Sequence, residues 1–164
     1  MSTGRTELAE AQAALARALL LGAEAPADFD AERVKAQGEA LARKREHEVR
    51  GMWPELARYL GEDFHTRFGD YARRTPLPGD GGPLADGHAF AREVTRDGPC
   101  PDAVRLELLR VELRWRRVRD GLLRRRGPCF RAARLREACC LLVALQLPRF
   151  GERWLRLPLG WRSR

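Results

Sequence analysis

Lysine is nearly missing from this chain: Lys35 and Lys44 are the only two among 31 basic residues, and the rest are arginine. With so much Ala and Gly beside them, part of that arginine excess reads as the codon bias of a GC-rich genome. Long apolar runs are missing as well, since no stretch approaches the roughly 18 residues that a membrane span needs. The opening Met1-Ser2-Thr3-Gly4-Arg5-Thr6 leads into alternating Ala, Glu and Arg rather than the apolar run of a signal peptide. The expected address is therefore cytoplasmic. The four cysteines, Cys100, Cys129, Cys139 and Cys140, form no CxxC pair, and His47, His65 and His88 lie at no ligand spacing from them. Free and mostly buried thiols in a reducing compartment are the expectation, with no metal and no cofactor. Nucleophile elbows, Gly-rich phosphate loops, HExxH and carboxylate pairs with a nearby His are absent, so the chain is expected to have no catalytic residues and not to be an enzyme. It has no internal repeats.

What is present is charge, unevenly placed. Residues 1–100 carry 14 Lys/Arg and 17 Asp/Glu, a net of −3, whereas residues 101–164 carry 17 Arg and 6 Asp/Glu, a net of +11. A partner-facing positive surface belongs to the last third. At 164 residues, one core or one core with a small appendage is the default.

Residues 6–21 space Leu8, Ala11, Leu15, Ala18 and Leu19 as on one helical face, with Thr3 or Thr6 as cap and Gly22 as stop. After an Ala23–Phe29 loop, Asp30 is placed to cap a second helix to about Arg50, whose inner face includes Val34, Leu41, Arg45 and Met52. Trp53-Pro54 forces a boundary, and a short helix Pro54–Leu60 follows. The next helix, Glu62–Arg74, carries the stripe Phe64, Phe68, Tyr71, which reads as core. Thr75–Pro83 is too rich in Gly and Pro for a helix and is the first place expected to be nicked by a protease. A helix over Leu84–Val94 and a break at Asp97-Gly98-Pro99-Cys100-Pro101 come next.

Asp102 is then placed to cap the longest helix, with an apolar seam Val104, Leu108, Val111, Trp115, Val118, Leu122. On it, Glu107 is within helical reach of Arg110 and Glu112 of Arg116. Glu112 falls at the margin of the seam, which predicts a partly buried carboxylate paired with an arginine. Beyond Pro128, Cys139–Leu147 and Glu152–Leu159 flank Pro148-Arg149-Phe150-Gly151 and read as a β-hairpin, with Phe130–Glu137 available as a third strand. The fold class expected is mainly α: a helical bundle of five to six helices followed by a short C-terminal antiparallel β-hairpin of two or three strands. The division expected is 1–126 helical and 127–164 a small basic β tail.

Gln12 with Leu15 and Leu19, Trp53-Pro54-Glu55-Leu56, Leu60-Gly61-Glu62-Asp63-Phe64, Phe68, Tyr71, Pro76, Gly87-His88-Ala89-Phe90 and Leu109-Arg110-Val111-Glu112 with Trp115 follow one another in an order that resembles the HvfC/BufC-type N-terminal domain. That helical module has long been labelled DNA-binding, and the form here is similar to an actinobacterial subgroup with a small C-terminal β tail. The resemblance covers about residues 8–118. The Tyr-Arg-Asn-Asn stretch of that family is not matched, since Gln37-Gly38-Glu39-Ala40 and Arg43-Lys44-Arg45 stand in its place. The resemblance implies a non-catalytic partner of a multinuclear non-haem iron oxygenase that modifies ribosomally made precursor peptides, with the iron belonging to the oxygenase. The partner-binding residues expected are Arg124, Arg125 and Arg126, then Arg131, Arg134 and Arg136, with a free strand edge able to accept a peptide. The alternative is a DNA-binding transcriptional regulator drawing on the same charge.

Overall fold

The computed structural model describes residues 3–96 and 98–159, the side chains of Thr3 and Gly4 excepted. The side chain on which the expected Thr3 cap depends and the Asp97 position of the second break lie outside that description. Six helices and five strands follow one another: α1 Thr3–Leu21, α2 Ala31–Met52, α3 Pro54–Leu60, α4 Asp63–Arg74, α5 Gly82–Val94, α6 Asp102–Arg114, β1 Trp115–Val118, β2 Gly121–Arg124, β3 Cys129–Leu135, β4 Cys140–Leu147 and β5 Gly151–Pro158. The chain is mainly helical with a C-terminal β part, and that part holds two small antiparallel sheets rather than one hairpin. The described residues fall into two compact units, one of residues 3–51 and 62–77, the other of 52–61 and 78–159.

The first unit is α1, α2 and α4. Asp30 caps α2 as its position predicts, its Oδ1 accepting the N–H groups of Glu32 at 3.0 Å and Arg33 at 3.2 Å. On α4 the rings of Phe64 and Phe68 stack with centroids 5.8 Å apart, and Phe68 meets Tyr71 at 5.6 Å. Arg45 of α2 points inward with Val34 and Val49, whereas Leu41 and Met52, expected on the same face, are exposed. The Arg45 guanidinium lies 5.7 Å from the Phe68 centroid and 5.6 Å from that of Tyr71, where a cation is attracted to the ring face. Its Nη1 donates to the carbonyls of Ala72 at 3.3 Å and Thr75 at 3.0 Å, satisfying acceptors that the end of α4 leaves open.

The second unit is organised by α6. Its expected extension to about Leu122 is wrong: the helix stops at Arg114, and Trp115–Arg124 folds as the hairpin β1–β2 in the register Trp115↔Arg124 to Val118↔Gly121. The connection is the two residues Arg119-Asp120, and Gly121 follows at φ 136°. A Cβ at Gly121 would lie 1.9 Å from the carbonyl oxygen of Asp80, so only glycine permits the approach. That approach straps part of the Gly/Pro-rich loop to the hairpin: Asp80 N–H donates to the Asp120 carbonyl at 3.0 Å and Leu122 N–H to the Asp80 carbonyl at 3.1 Å.

The buried face of α6 also differs from the expected seam. Val104, Leu109 and Leu113 are buried, whereas Leu108, Val111 and Trp115 are only half-buried. Leu109 and Leu113 pack with Cys129, Leu135, Cys140, Leu142 and Ala144 of the sheet β3-β4-β5, which makes this the core under the sheet. The thiols are mixed: Cys129 and Cys140 are buried, Cys100 is half-buried and Cys139 is exposed, all unpaired.

Three carboxylates of α6 tie it to its neighbours, none through the local partners that helical spacing suggests. Asp102 makes no capping bond; its two oxygens accept the N–H groups of Arg136 at 2.8 Å and Ala138 at 3.0 Å, holding the β3–β4 turn. Glu107 accepts the N–H groups of Glu55 at 3.1 Å and Leu56 at 2.9 Å, the open donors in the first turn of α3, instead of bonding Arg110. Glu112 bonds Nε2 of His88 at 3.2 Å and Nη1 of Arg92 at 2.8 Å, both on α5. An arginine partner was expected for it, but Arg116, on β1, is not that partner. Five residues advance about 140° beyond a full turn around a helix, so successive acids at this spacing reach three different neighbours.

Candidate functional site

The basic last third of the sequence is not one patch. Arg124 closes β2 and is exposed, and Arg126 is exposed in the following turn. Arg125, between them, is occupied: its Nε donates to the carbonyls of Glu112 at 3.2 Å and Trp115 at 3.1 Å, and its N–H donates to the Arg114 carbonyl at 2.8 Å. This arginine closes the C-terminus of α6. α6 itself ends at Arg114, ten residues before Arg124, so the triplet does not belong to the helix.

The sheet register sorts the remaining expected residues. In β3 the side chains at 129, 131, 133 and 135 face α6, so Arg131 lies on the covered face, half-buried, with its Nη1 on the Phe130 carbonyl at 3.0 Å. Arg134 lies on the opposite, open face and is exposed. Arg136 sits in the β3–β4 turn, its backbone held by Asp102 and its side chain exposed. Of the six, only Arg134 stands on the open face of the sheet.

That open face is the feature sequence reasoning did not assemble. Pairing of β3, β4 and β5 places Phe130 opposite Leu145, Ala132 opposite Val143 and Arg134 opposite Leu141. Next to them come Arg153 opposite Leu145, Leu155 opposite Val143 and Leu157 opposite Leu141. Alternation along a strand sends all of these to the same side. Phe130 is 59% exposed, Leu155 56% and Leu157 42%. The signal was present in β4, Cys-Leu-Leu-Val-Ala-Leu-Gln-Leu, which is apolar at nearly every position; such a run is the pattern of a strand covered on both faces. Here α6 covers one.

Among the described residues no acidic side chain pairs with Arg134 or Arg153. The segment 129–159 contains two acidic residues, Glu137 and Glu152. Glu137 accepts the Asp102 N–H at 3.4 Å, and Glu152 pairs with Arg114, a bond that raises the arginine's affinity for its proton. Glu152 also points to the covered side, since it pairs with Gln146 in the register. β5 is an edge strand, so one row of its backbone N–H and C=O groups has no strand partner among the described residues.

In the first unit, α1, α2 and α4 frame a groove of about 680 Å³ whose lining includes Ala18, Gly38, Ala42 and Ala72. Its rim pairs Lys44 with Glu48 and presents no single sign of charge. Among the described residues no three of His, Cys, Asp and Glu gather to hold a metal ion, and no helix is long and apolar enough to cross a membrane.

Fold and surface together define a small, mainly helical protein with a basic antiparallel sheet that is open on one face. Residues 9–96 match the SCO6045-like, C-terminal domain family, and the chain belongs to that family. It is also 40% identical over 124 residues to a UPF0276 protein of Streptomyces avermitilis, a stretch that takes in 76% of this chain and 23% of the relative. The chain thus spans less than a quarter of that relative's length. No solved structure matches it.

Proposed function

We propose that this protein is a non-catalytic partner that binds a multinuclear non-haem iron oxygenase, its precursor peptide, or both, in the biosynthesis of a ribosomally made and modified peptide. The family match overlaps the stretch that resembles the HvfC/BufC-type domain, and the proposal takes the iron-oxygenase partner from that resemblance. The observation that carries it is the length relation: in the Streptomyces avermitilis protein the matched stretch makes up only 23% of a much longer chain. A module that a relative carries joined covalently to a larger protein is well suited to act in such a protein's company, because a tether and a binding surface serve the same end. The exposed arginines and the free β5 edge favour an acidic, extended peptide as one ligand, added as a further strand.

Copurification tests the reading. A tagged form of the chain, coexpressed with an iron oxygenase of that class and its precursor peptide, is expected to retain that enzyme and to raise its turnover of the peptide. Separate elution with unchanged turnover removes the proposal. A mobility shift of duplex DNA that weakens steeply with salt would move the function to the DNA-binding alternative.

A further inference from the structure

The open face of β3-β4-β5 is a different surface from the β5 edge and asks for a different occupant. We infer that it is the docking platform for one short amphipathic helix of a partner protein, with an apolar stripe flanked by acidic residues. The inference rests on reading the chain as a partner protein, but not on which protein it partners.

Shape decides for a single helix. Three strands about 4.8 Å apart and seven residues rising about 3.3 Å each give a face of roughly 14 by 23 Å, on the order of 330 Å². A helix of about 15 residues is roughly 22 Å long and about 10 Å across, which matches the face in both directions. A second copy of the chain would need about 800 Å² from each side for a stable dimer, well beyond what this face offers. Chemistry decides the flanks. Val143 lies at the centre, with Ala132 and Leu155 beside it and Leu141 and Leu145 before and after it; Phe130 and Leu157 hold one pair of diagonal corners, and Arg134 and Arg153 the other, so an apolar diagonal runs between the two arginines. Neither arginine has an ion-pair partner among the described residues, and both acids of the β3–β5 segment are engaged elsewhere. A helix bearing lysines along its flanks would meet repulsion there, and one bearing glutamates would meet attraction. The run of apolar residues in β4 fits this reading, since both faces of that strand are then covered.

The test uses the full chain and two labelled synthetic helical peptides with the same leucine stripe, one flanked by glutamate and one by lysine. Fluorescence anisotropy is expected to show micromolar binding of the glutamate peptide and at least tenfold weaker binding of the lysine peptide. Phe130→Ser with Leu155→Ser should weaken the glutamate peptide at least tenfold while the melting temperature and near-ultraviolet circular dichroism stay as in wild type. Amide shift changes on adding the peptide should centre on Phe130, Val143 and Leu155. Equal binding of the two peptides, binding indifferent to the double variant, or shifts confined to the outer edge of β5 would each overturn the platform. So would concentration-dependent dimerisation through this face that the peptide cannot displace. Copurification with the oxygenase reports separately: if wild type and double variant are retained alike, the platform falls and the partner reading stands; if neither is retained while the peptide binds as described, the partner reading falls and the platform stands.

Discussion

Glu107 and Glu112 lie five residues apart on α6, both partly buried, and their surroundings drive them in opposite directions. The bond to His88 is the strongest influence on Glu112 and, with Arg92, outweighs burial to hold its carboxyl below the ordinary value of 4.5. For Glu107 burial is the strongest influence and pushes the carboxyl above 4.5, although the N–H groups of Glu55 and Leu56 pull it down. A lowered native value means that the unfolded chain takes up the proton first as pH falls. The stability Glu112 supplies is therefore full above about pH 4.5 and disappears as pH falls through the lower native value. Glu107 contributes with the reverse sign, most favourably below pH 4.5 and less as pH rises through its raised native value. Urea unfolding of wild type and Glu112→Gln from about pH 3 to 7 should show a stability gap that is widest near neutrality and closes in acid. A gap of constant size would mean that the carboxylate's charge is not what binds α5 to α6. The composition of this cluster is visible in the sequence, but its pairing is not: His88 and Glu112 are 24 positions apart, and a helix-spacing rule offers only Arg116.

At the scale of elements, local signals were legible and distant ones were not. Asp30 ahead of α2, Pro54 at the start of α3 and the Phe64-Phe68-Tyr71 stripe of α4 each act within a turn or two of themselves, and the structure follows them closely. The region after Arg114 shows how local reading fails. Trp115, Val118 and Leu122 continue an apolar spacing of three and four, yet an Asp120-Gly121 pair inside that spacing is also a hairpin signal. What decides between the two is the Asp80 strap, 41 positions away at Gly121, which no window on the sequence contains. Gly121→Ala tests that account. A Cβ 1.9 Å from the Asp80 oxygen, at φ 136°, should displace the strap and cost about 2 kcal/mol or more. Gly127→Ala, with no atom within 4 Å of the added Cβ, should stay within about 0.5 kcal/mol. Denaturation midpoints of the two variants give the comparison, and equal losses would show that the strap does not hold the hairpin. Such a result would also return the Gly/Pro-rich loop to the open, protease-sensitive state that its composition suggests.

For the whole molecule, the split of net charge, −3 before residue 100 and +11 after it, says where a positive surface lies but not which arginines compose it. Only strand register and backbone geometry make that division. Arg125 closes the end of α6 through two carbonyls, Arg131 lies toward the covered face, and Arg134 and Arg153 share the open one. The division predicts a clean separation of stability from association. Arg125→Glu removes the one charged Nε donor that both carbonyls share and sets a carboxylate against them, a change expected to cost about 2 to 4 kcal/mol. Arg134→Glu with Arg153→Glu touches only exposed charges and should leave stability within about 1 kcal/mol. In association with an acidic partner the order reverses. At temperatures where it remains folded, the Arg125 variant should bind nearly as wild type does, while the double variant should associate more slowly and lose most of the salt dependence of its on-rate. Stopped-flow association at two salt concentrations, read beside melting curves, resolves the two effects. If the Arg134 and Arg153 reversals lower the melting temperature as much as Arg125→Glu does, the open face is part of the protein's own packing and not a surface kept for another molecule.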